Sequence, residues 1–275
     1  MSGILYLVGT PIGNLGDISP RALETLEKVD FIACEDTRVS IKLLNHFSIK
    51  KPLLSYHGHN ERRSGEDILQ KLLSGKDVAL ISDAGMPCVS DPGEFLVRKC
   101  REAEIKLEVI PGPTAFVAAL VVSGLTTGRF TFEGFLPVAT KERRQRLEQL
   151  ATEERSMIFY EAPHKLKKTL ADFLTHLGDR DISISRELTK RFEETLSMTL
   201  QEAVSYYTEH EPRGEFVLVL AGATHREETM DMEVALSQVQ NLMENGMTRK
   251  TASKEVSEKT GISKNLLYSE SLKEN

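Results

Sequence analysis

The sequence predicts an α/β protein, because short apolar runs alternate with helical periodicity through most of its 275 residues. Three loops rich in glycine and proline each follow one of these apolar runs. After about residue 230 the apolar runs stop and only helical periodicity remains. We therefore expect two α/β domains, residues 1–113 and 114–223, followed by a linker and a small helical module at 224–275.

The first domain is predicted to alternate strands with helices. Its first helix has a clear start, because Ser19 can cap it and Pro20 suits its first turn. Regular alternation of this kind predicts a largely parallel sheet with helices on both faces. The predicted strands are residues 4–8, 31–34, 53–56, 78–81 and 107–110, and the predicted helices are residues 20–29, 40–47, 61–73 and 93–103.

The second domain is predicted to be α/β as well, with more strand-rich segments. Residues 224–230 are polar and are interpreted as a linker. The predicted strands are residues 131–135, 156–160, 181–185 and 215–220, and the predicted helices are residues 115–123, 141–150, 165–177 and 200–209.

The C-terminal module has the pattern of a helix-turn-helix. Helices are expected at 232–244, 248–259 and 263–272, with Thr248 and Ser263 as caps and a turn at Gly261. A simple three-helix packing domain would give the same pattern. The apolar contacts between helices are assigned to Val256, Ile262 and Leu267, and a basic side to Arg249, Lys250, Lys254, Lys259 and Lys264.

The three loops, residues 9–15, 82–93 and 111–115, predict one ligand crevice. Glycine allows the backbone to turn sharply and to approach a ligand, and proline holds a loop in shape. The carboxyl ends of strands in open α/β sheets are where ligands bind. Ordinary tight turns also use these residues, but three such loops together favour a binding site. A standard dinucleotide site is not expected, because the Gly-x-Gly-x-x-Gly fingerprint with a downstream acidic residue is absent.

Composition narrows the class of protein. A net charge of −6 argues against a protein that coats nucleic acid by charge alone, although a local basic patch could still bind it. No apolar run approaches the length of a membrane span, and the N-terminus has no signal-peptide pattern. Three cysteines without metal-ligand spacing favour a reduced, cytoplasmic setting.

Six short motifs occur in one order along the chain: residues 8–15, 35–38, 83–87 with 90–93, 111–113, 160–164, and 186–190 with 192–193. In this combination they closely resemble the ribosomal RNA small subunit methyltransferase I family. That family belongs to the tetrapyrrole-methylase-like, class III S-adenosylmethionine-dependent methyltransferases. The resemblance runs from about residue 3 to the C-terminus. One departure is Met86, where the family usually has threonine.

The resemblance implies two α/β domains with a cofactor crevice between them. It also implies 2′-O-methylation of a cytidine ribose in the decoding region of 16S rRNA, within the small ribosomal subunit. S-adenosylmethionine is the implied cofactor, without a metal, and a homodimer is the implied assembly. The C-terminal module is implied to help hold RNA.

The resemblance also implies which residues contact the cofactor. Turn packing is the alternative for Pro11, Gly85 and Ala115, and core packing is the alternative for Met86 and Leu188. The implied set is Pro11, Asp83, Ala84, Gly85, Met86, Val89, Thr114, Ala115, Ala162 and Leu188.

Methyl transfer to a hydroxyl requires alignment of the reacting atoms and removal of a weakly acidic proton. Asp36 and Glu35 are the first candidates for proton removal and Lys190 is the next. Spacing does not choose among them, and Asp36 could instead be a helix cap in a local ion pair. Arg38 and Arg186 are candidates for substrate binding, because guanidinium groups suit phosphate oxygens.

Two other functions fit parts of the sequence. A methylase for a small tetrapyrrole would use the same cofactor fold, and a DNA-binding regulator would use the module as its reader. The basic segments at 141–146 and 164–168 could be solvated helix faces or RNA contacts. The basic segments and the C-terminal helical module favour the RNA methyltransferase, because a porphyrinoid substrate does not need them.

Overall fold

The computed structural model of the chain describes residues 2–223, 232–260 and 262–272. The chain forms two compact units, Met1–Gly222 and Ala223–Asn275. The predicted linker at 224–230 and the predicted turn at Gly261 lie outside the described residues. No helix in the described ranges is both long and apolar enough to cross a membrane.

The first sheet is parallel throughout, as the alternation of strands and helices predicted. The strand order is β3-β2-β4-β1-β5, so β1 pairs with β4 on one side and with β5 on the other. The carboxyl ends of all these strands therefore lie along one edge of the sheet. The strands are β1 (Ile4–Val8), β2 (Phe31–Cys34), β3 (Leu53–Ser55), β4 (Val78–Ile81) and β5 (Lys106–Ile110).

Helices cover both faces of this sheet. Ser19 begins the first of them, since its side chain accepts a hydrogen bond from the Ala22 amide at 3.1 Å. Leu26 and Leu44 pack on one face of the sheet, while Leu69 and Leu96 pack on the other. The helices are α1 (Pro20–Lys28), α2 (Thr37–His46), α3 (Glu61–Leu73) and α4 (Glu94–Glu102).

The second sheet has the order β6-β7-β10-β8-β9, in which only the β6–β7 pair is parallel. One edge strand, β9, was not predicted from the sequence. The strands are β6 (Phe130–Gly134), β7 (Ser156–Glu161), β8 (Asp181–Arg186), β9 (Glu194–Thr199) and β10 (Phe216–Leu220). The associated helices are α5 (Ala115–Val122), α6 (Thr140–Leu150), α7 (Pro163–Leu177) and α8 (Leu200–Glu209).

The C-terminal unit contains three helices in its described residues, α9 (Met232–Glu244), α10 (Arg249–Thr260) and α11 (Lys264–Glu270). The side chain of Thr248 accepts a hydrogen bond from the Thr251 amide at 3.3 Å, as a cap should. Ser263 occupies the cap position of α11, but its side chain makes no capping hydrogen bond. The predicted apolar residues Val256, Ile262 and Leu267 share one core with Ala252 of α10 and with three residues of α9, Ala235, Leu236 and Val239.

Candidate functional site

The three glycine- and proline-rich loops meet at the carboxyl edge of the first sheet. Thr10 and Gly85 exchange backbone hydrogen bonds of 2.8 and 3.1 Å, which join the first loop to the second. Gly9 and Gly112 join the first loop to the third, because a Cβ on Gly9 would lie 2.7 Å from the Gly112 Cα atom. No side chain fits at this contact, so both positions require glycine.

A cavity of about 550 Å³ opens between these loops and the second sheet. On the side of the second sheet, the cavity is lined by the end of β7, the start of α7, and residues around Leu188 and Glu215. Most of the cofactor contacts implied by the resemblance line this cavity: Ala84, Gly85, Met86, Val89, Thr114, Ala115, Ala162 and Leu188. Their assignment to a cofactor stays a prediction, and their convergence on one cavity is a finding.

Pro11 and Asp83 are not among the residues that line the cavity. Pro11 is buried, and Asp83 accepts a hydrogen bond from the Asp36 amide at 3.1 Å. Met86 packs over the first loop, since a Cβ on Gly9 would lie 2.7 Å from its sulfur atom. Met86 therefore contacts Gly9 through its sulfur atom and also lines the cavity.

Asp36 caps α2 at the carboxyl end of β2. Its carboxylate accepts hydrogen bonds from the Arg38 amide at 2.8 Å and from the Arg38 guanidinium at 2.6 to 3.2 Å. These hydrogen bonds from Arg38 lower the pKa of Asp36 to about 2. This is the cap and local ion pair that the sequence left open as an alternative. A carboxylate with such a low pKa is a weak proton acceptor.

Glu35 and Arg38 also lie outside the cavity lining. Partial burial raises the pKa of Glu35, and the negative charges of Asp83 and Asp36 add to that effect while His57 opposes it. The Arg38 side chain is 87% exposed and its fork is engaged by Asp36. To bind an anion such as a phosphate, the Arg38 guanidinium must either give up its ion pair with Asp36 or bind both groups at once.

Lys190 lines the cavity as a charged donor. Its Nζ atom lies 2.9 Å from Glu187 Oε1 and 2.7 Å from Glu215 Oε2. Burial alone would lower the pKa of Lys190, but hydrogen bonds to Glu215 and Glu187 outweigh burial and raise it. A lysine held in this charged state does not accept a proton near neutral pH.

Arg186 is the last residue of β8 and is not among the residues that line the cavity. Its Nε atom is 2.9 Å from Glu194 Oε2 across the β8–β9 pair. It lines a separate depression with Tyr206, Tyr207 and His210. The structure therefore does not bring Arg186 to the same cavity as Lys190.

Sequence reasoning missed Asp91, which lines the cavity from the second loop. Burial, together with the charges of Glu35 and Asp83, raises the pKa of Asp91 to about 6, and the Ser82 hydroxyl opposes this rise. The motif at 90–93 was noted in the sequence, but an Asp-Pro pair is also an ordinary turn signal. Only the packed structure shows that its carboxyl group is partly withdrawn from water.

Two other features of the cavity were also missed. Glu161 is buried and accepts hydrogen bonds from the Ala162 amide at 2.9 Å and the Thr169 hydroxyl at 2.5 Å. Phe135 is 59% exposed at the cavity and its ring lies 5.6 Å from that of Tyr160. In the parts of the chain that the structure describes, no group of three or more histidine, cysteine or acidic side chains is placed to hold a metal ion.

Residues 4–204 match the family model described as Tetrapyrrole (Corrin/Porphyrin) Methylases. Two solved structures share this fold at 19% identity. The methyltransferase CobJ has a TM-score of 0.62 over 81% of this chain and 95% of its own. Uroporphyrin-III C-methyl transferase from Thermus thermophilus, complexed with S-adenyl homocysteine, has a TM-score of 0.57 over 80% and 97%. The chain is thus a methyltransferase with the tetrapyrrole methylase fold, as its resemblance implied.

Similar curated proteins narrow the family. A Synechocystis protein named ribosomal RNA small subunit methyltransferase I is 52% identical over 98% of both chains. Proteins of the same name from Halalkalibacterium halodurans and Bacillus subtilis are 47% and 42% identical, each over 97% of this chain and 93% of their own. The chain belongs to the ribosomal RNA small subunit methyltransferase I family, which confirms the resemblance seen in the motifs.

Proposed function

We propose that this chain transfers a methyl group from S-adenosylmethionine to the 2′-oxygen of a cytidine ribose in the decoding region of 16S rRNA. The observation that carries the proposal is the full-length match to proteins named for small-subunit rRNA methylation. That match includes the C-terminal module, which lies beyond the region shared with the tetrapyrrole methylases.

S-adenosylmethionine is the methyl donor of this family, and the cavity suits it. A volume of about 550 Å³ lies within the usual range for small-molecule sites. Met86, Val89 and Leu188 line the cavity and offer apolar surface to an adenine. When bound, the cofactor supplies an electrophilic methyl group on a good leaving group. We assign cofactor contact to the implied residues that line this cavity, with Pro11 and Asp83 supporting the loops behind them.

Lys190 is proposed to hold an anionic group at the cavity. Its charge is kept by Glu187 and Glu215, and its position is fixed by the first loop. A Cβ on Gly13 would lie 2.4 Å from Lys190 Cγ, and the Asn14 amide donates a hydrogen bond to Thr189 Oγ1 at 3.1 Å. The carboxylate of the cofactor or a phosphate of the RNA fits such a donor. We keep Arg38 and Arg186 as phosphate contacts at the periphery.

Basic residues on the C-terminal module are the better candidates for RNA binding. The arginines at 141–146 are largely engaged within the protein, because Arg143 pairs with Asp172, Arg144 with Glu148 and Arg146 with Glu133. In the 164–168 segment, Lys167 pairs with Glu211 and Lys168 with Asp172. These pairings support the interpretation of both segments as charged helix faces. Exposed module residues such as Lys250 then carry the attraction to phosphate.

The assembly and setting follow from the same proposal. We propose a homodimer, as the family resemblance implies, acting on the assembled small subunit in the cytoplasm. A protein with a net charge of −6 gains little from nonspecific attraction to long RNA. It therefore depends on a shaped substrate, which an assembled subunit offers and free RNA does not.

A methylase for a small tetrapyrrole is the second candidate. The match of residues 4–204 to the tetrapyrrole methylases favours it, because the cofactor fold is shared. The module after residue 223 has no use in a reaction on a free porphyrinoid. A DNA-binding regulator is less well supported, because residues 4–204 match a family of methylases.

The test is transfer of labelled methyl from S-adenosylmethionine to small subunits isolated from a strain that lacks this gene. We expect label at one cytidine ribose, mapped by resistance of the adjacent phosphodiester to alkali. Subunits from the parent strain are the matched control and should accept little label. Label on uroporphyrinogen, with none on subunits, would support the second candidate instead.

A further inference from the structure

Three carboxyl groups line the cavity in the described residues, and two of them are engaged. They belong to Asp91, Glu161 and Glu215. Glu161 is buried and accepts hydrogen bonds from Thr169 and the Ala162 amide. Glu215 forms an ion pair with Lys190. Asp91 is left as the carboxyl group with capacity for a new partner.

The segment around Asp91 is held in an unusual backbone conformation. Cys88 and Ser90 have positive φ angles of 69° and 64°, and Gly93 has a φ of 148°. Non-glycine residues adopt such angles at a cost, which the surrounding structure must offset. Strained backbone of this kind is concentrated at functional sites. The two strained residues, Cys88 and Ser90, precede Asp91, and Gly93 follows it at an angle that glycine adopts freely.

The end of this segment is fixed by hydrogen bonds of Gly93 and Tyr56 to Glu61, a set of contacts that we call the clamp. Glu61, at the start of α3, accepts hydrogen bonds from the Gly93 amide at 3.1 Å and from the Tyr56 hydroxyl at 2.9 Å. Tyr56 is itself almost fully buried. The clamp orients the loop through groups that do not line the cavity, while Asp91 lines it and has the Ser82 hydroxyl as a hydrogen-bonding neighbour.

No cation forms an ion pair with Asp91 among the residues that the structure describes. This contrasts with Asp36, whose carboxylate is held by Arg38. A carboxylate paired with arginine is a weak base, whereas one facing a cavity without a cation can accept a proton.

We propose that Asp91 is the general base that removes the proton from the ribose hydroxyl. This inference rests on the proposed function. The ribose oxygen forms a bond to the methyl carbon while the bond from that carbon to sulfur breaks, and the electron pair stays on sulfur. The hydroxyl proton passes to an Asp91 carboxylate oxygen and then to water. The products are the 2′-O-methylated RNA, S-adenosylhomocysteine and one proton.

The titration of Asp91 suits this role. Burial raises its pKa to about 6. At neutral pH the group is mostly ionised and ready to accept a proton, yet it is a stronger base than an ordinary aspartate. Efficient general bases have pKa values near the working pH.

The experiment measures single-turnover methylation of small subunits at saturating cofactor, from pH 5 to pH 8.5. The wild-type rate should rise about tenfold per pH unit below about pH 6 and then level off. Asp91→Asn should lower the plateau by about 10²- to 10⁴-fold, the usual effect of losing a general base. Glu94→Gln is the matched control, because Glu94 is exposed, lies three residues away and does not line the cavity.

A second measurement separates catalysis from binding and folding. Calorimetric affinity of Asp91→Asn for S-adenosylhomocysteine should stay within about threefold of wild type. Loss of that affinity in a folded variant would make Asp91 a binding residue and overturn the proposal. A wild-type rate that does not depend on pH between 5 and 7 would also overturn it, and needs no variant.

Two further outcomes distinguish this inference from the function on which it rests. If wild-type protein transfers no methyl group to subunits, the proposed function fails and the inference fails with it. If wild type is active and Asp36→Asn loses more activity than Asp91→Asn, the function stands and the proton-accepting role belongs to Asp36. Acid instability of the subunits is controlled by returning them to neutral pH before a second assay.

Discussion

At the scale of single residues, two aspartates show how environment sets chemistry. Asp36 is held by Arg38 and has a pKa of about 2, while Asp91 is partly buried and has a pKa of about 6. Carboxyl groups whose pKa values are pushed apart can take different roles in one site. In the sequence, both aspartates lie within motifs that carry the family resemblance, at residues 35–38 and 90–93. It could not rank them, because burial and ion pairing depend on the packing of distant elements.

Removing the Asp91 charge should stabilise the protein at alkaline pH. The pKa of Asp91 in the folded chain is about 6, against an unfolded value of about 3.9, so ionisation opposes folding above pH 6. This cost vanishes below about pH 4, where the group is protonated in both states. We expect Asp91→Asn to raise the free energy of unfolding by about 1–3 kcal/mol at pH 8, allowing for partial exposure.

Urea denaturation of both proteins at pH 8 and pH 4.5 checks this expectation. The difference between wild type and Asp91→Asn should shrink at the lower pH. An equal or larger gain at pH 4.5 would mean that the stability change comes from packing and not from the charge.

At the scale of elements, backbone contacts between loops define the crevice. The sequence predicted the loops, their strands and their meeting place from glycine, proline and apolar runs. It missed β9 (Glu194–Thr199), because this short edge strand is mostly half-buried and has only two apolar residues, Leu196 and Met198. It also could not foresee the Gly9–Gly112 contact, which arises only when β1 and β5 pair.

Gly112→Ala should damage this contact. Its Cβ would lie 2.8 Å from the Gly9 Cα atom, so one loop must move. We expect a loss of about 1–3 kcal/mol in the free energy of unfolding and weaker binding of S-adenosylhomocysteine. Gly128→Ala is the matched control, because no atom lies within 4 Å of its Cβ position. Unchanged affinity in Gly112→Ala would show that the loops move without disturbing the site.

Ala115→Leu should block the crevice. Ala115 begins α5 and lines the cavity, so a larger side chain there projects toward the cofactor position. We expect at least a tenfold loss of S-adenosylhomocysteine affinity by calorimetry. Val117→Leu is a control on the same helix, because Val117 is exposed. A folded Ala115→Leu variant with wild-type affinity would remove this residue from the site.

At the scale of the whole molecule, the chain consists of two units with separate cores. The catalytic unit has its own clusters on both sheets, and α9, α10 and α11 share another. The sequence predicted this division from a change of periodicity near residue 230. The division of residues 1–222 into two domains stays a prediction, because they form one compact unit.

Deletion of the residues after Ala223 should separate the two activities. The shortened protein should bind S-adenosylhomocysteine with nearly unchanged affinity, because the described cavity residues all precede that point. Its affinity for small subunits should be at least tenfold lower than that of the full chain, because phosphate contacts are lost. For the same reason, the remaining affinity should depend less steeply on salt concentration. Calorimetry and filter binding measure the two affinities. Collapse of cofactor binding with intact subunit binding would contradict our assignment of the module.

A helical module that keeps its own apolar core has an evolutionary consequence. Such a segment can be gained, lost or exchanged between genes without refolding the neighbouring catalytic unit. The match to the Tetrapyrrole (Corrin/Porphyrin) Methylases ends at residue 204 and so leaves the module out. An exchange of the module between genes would then leave the residues that line the cavity as they were.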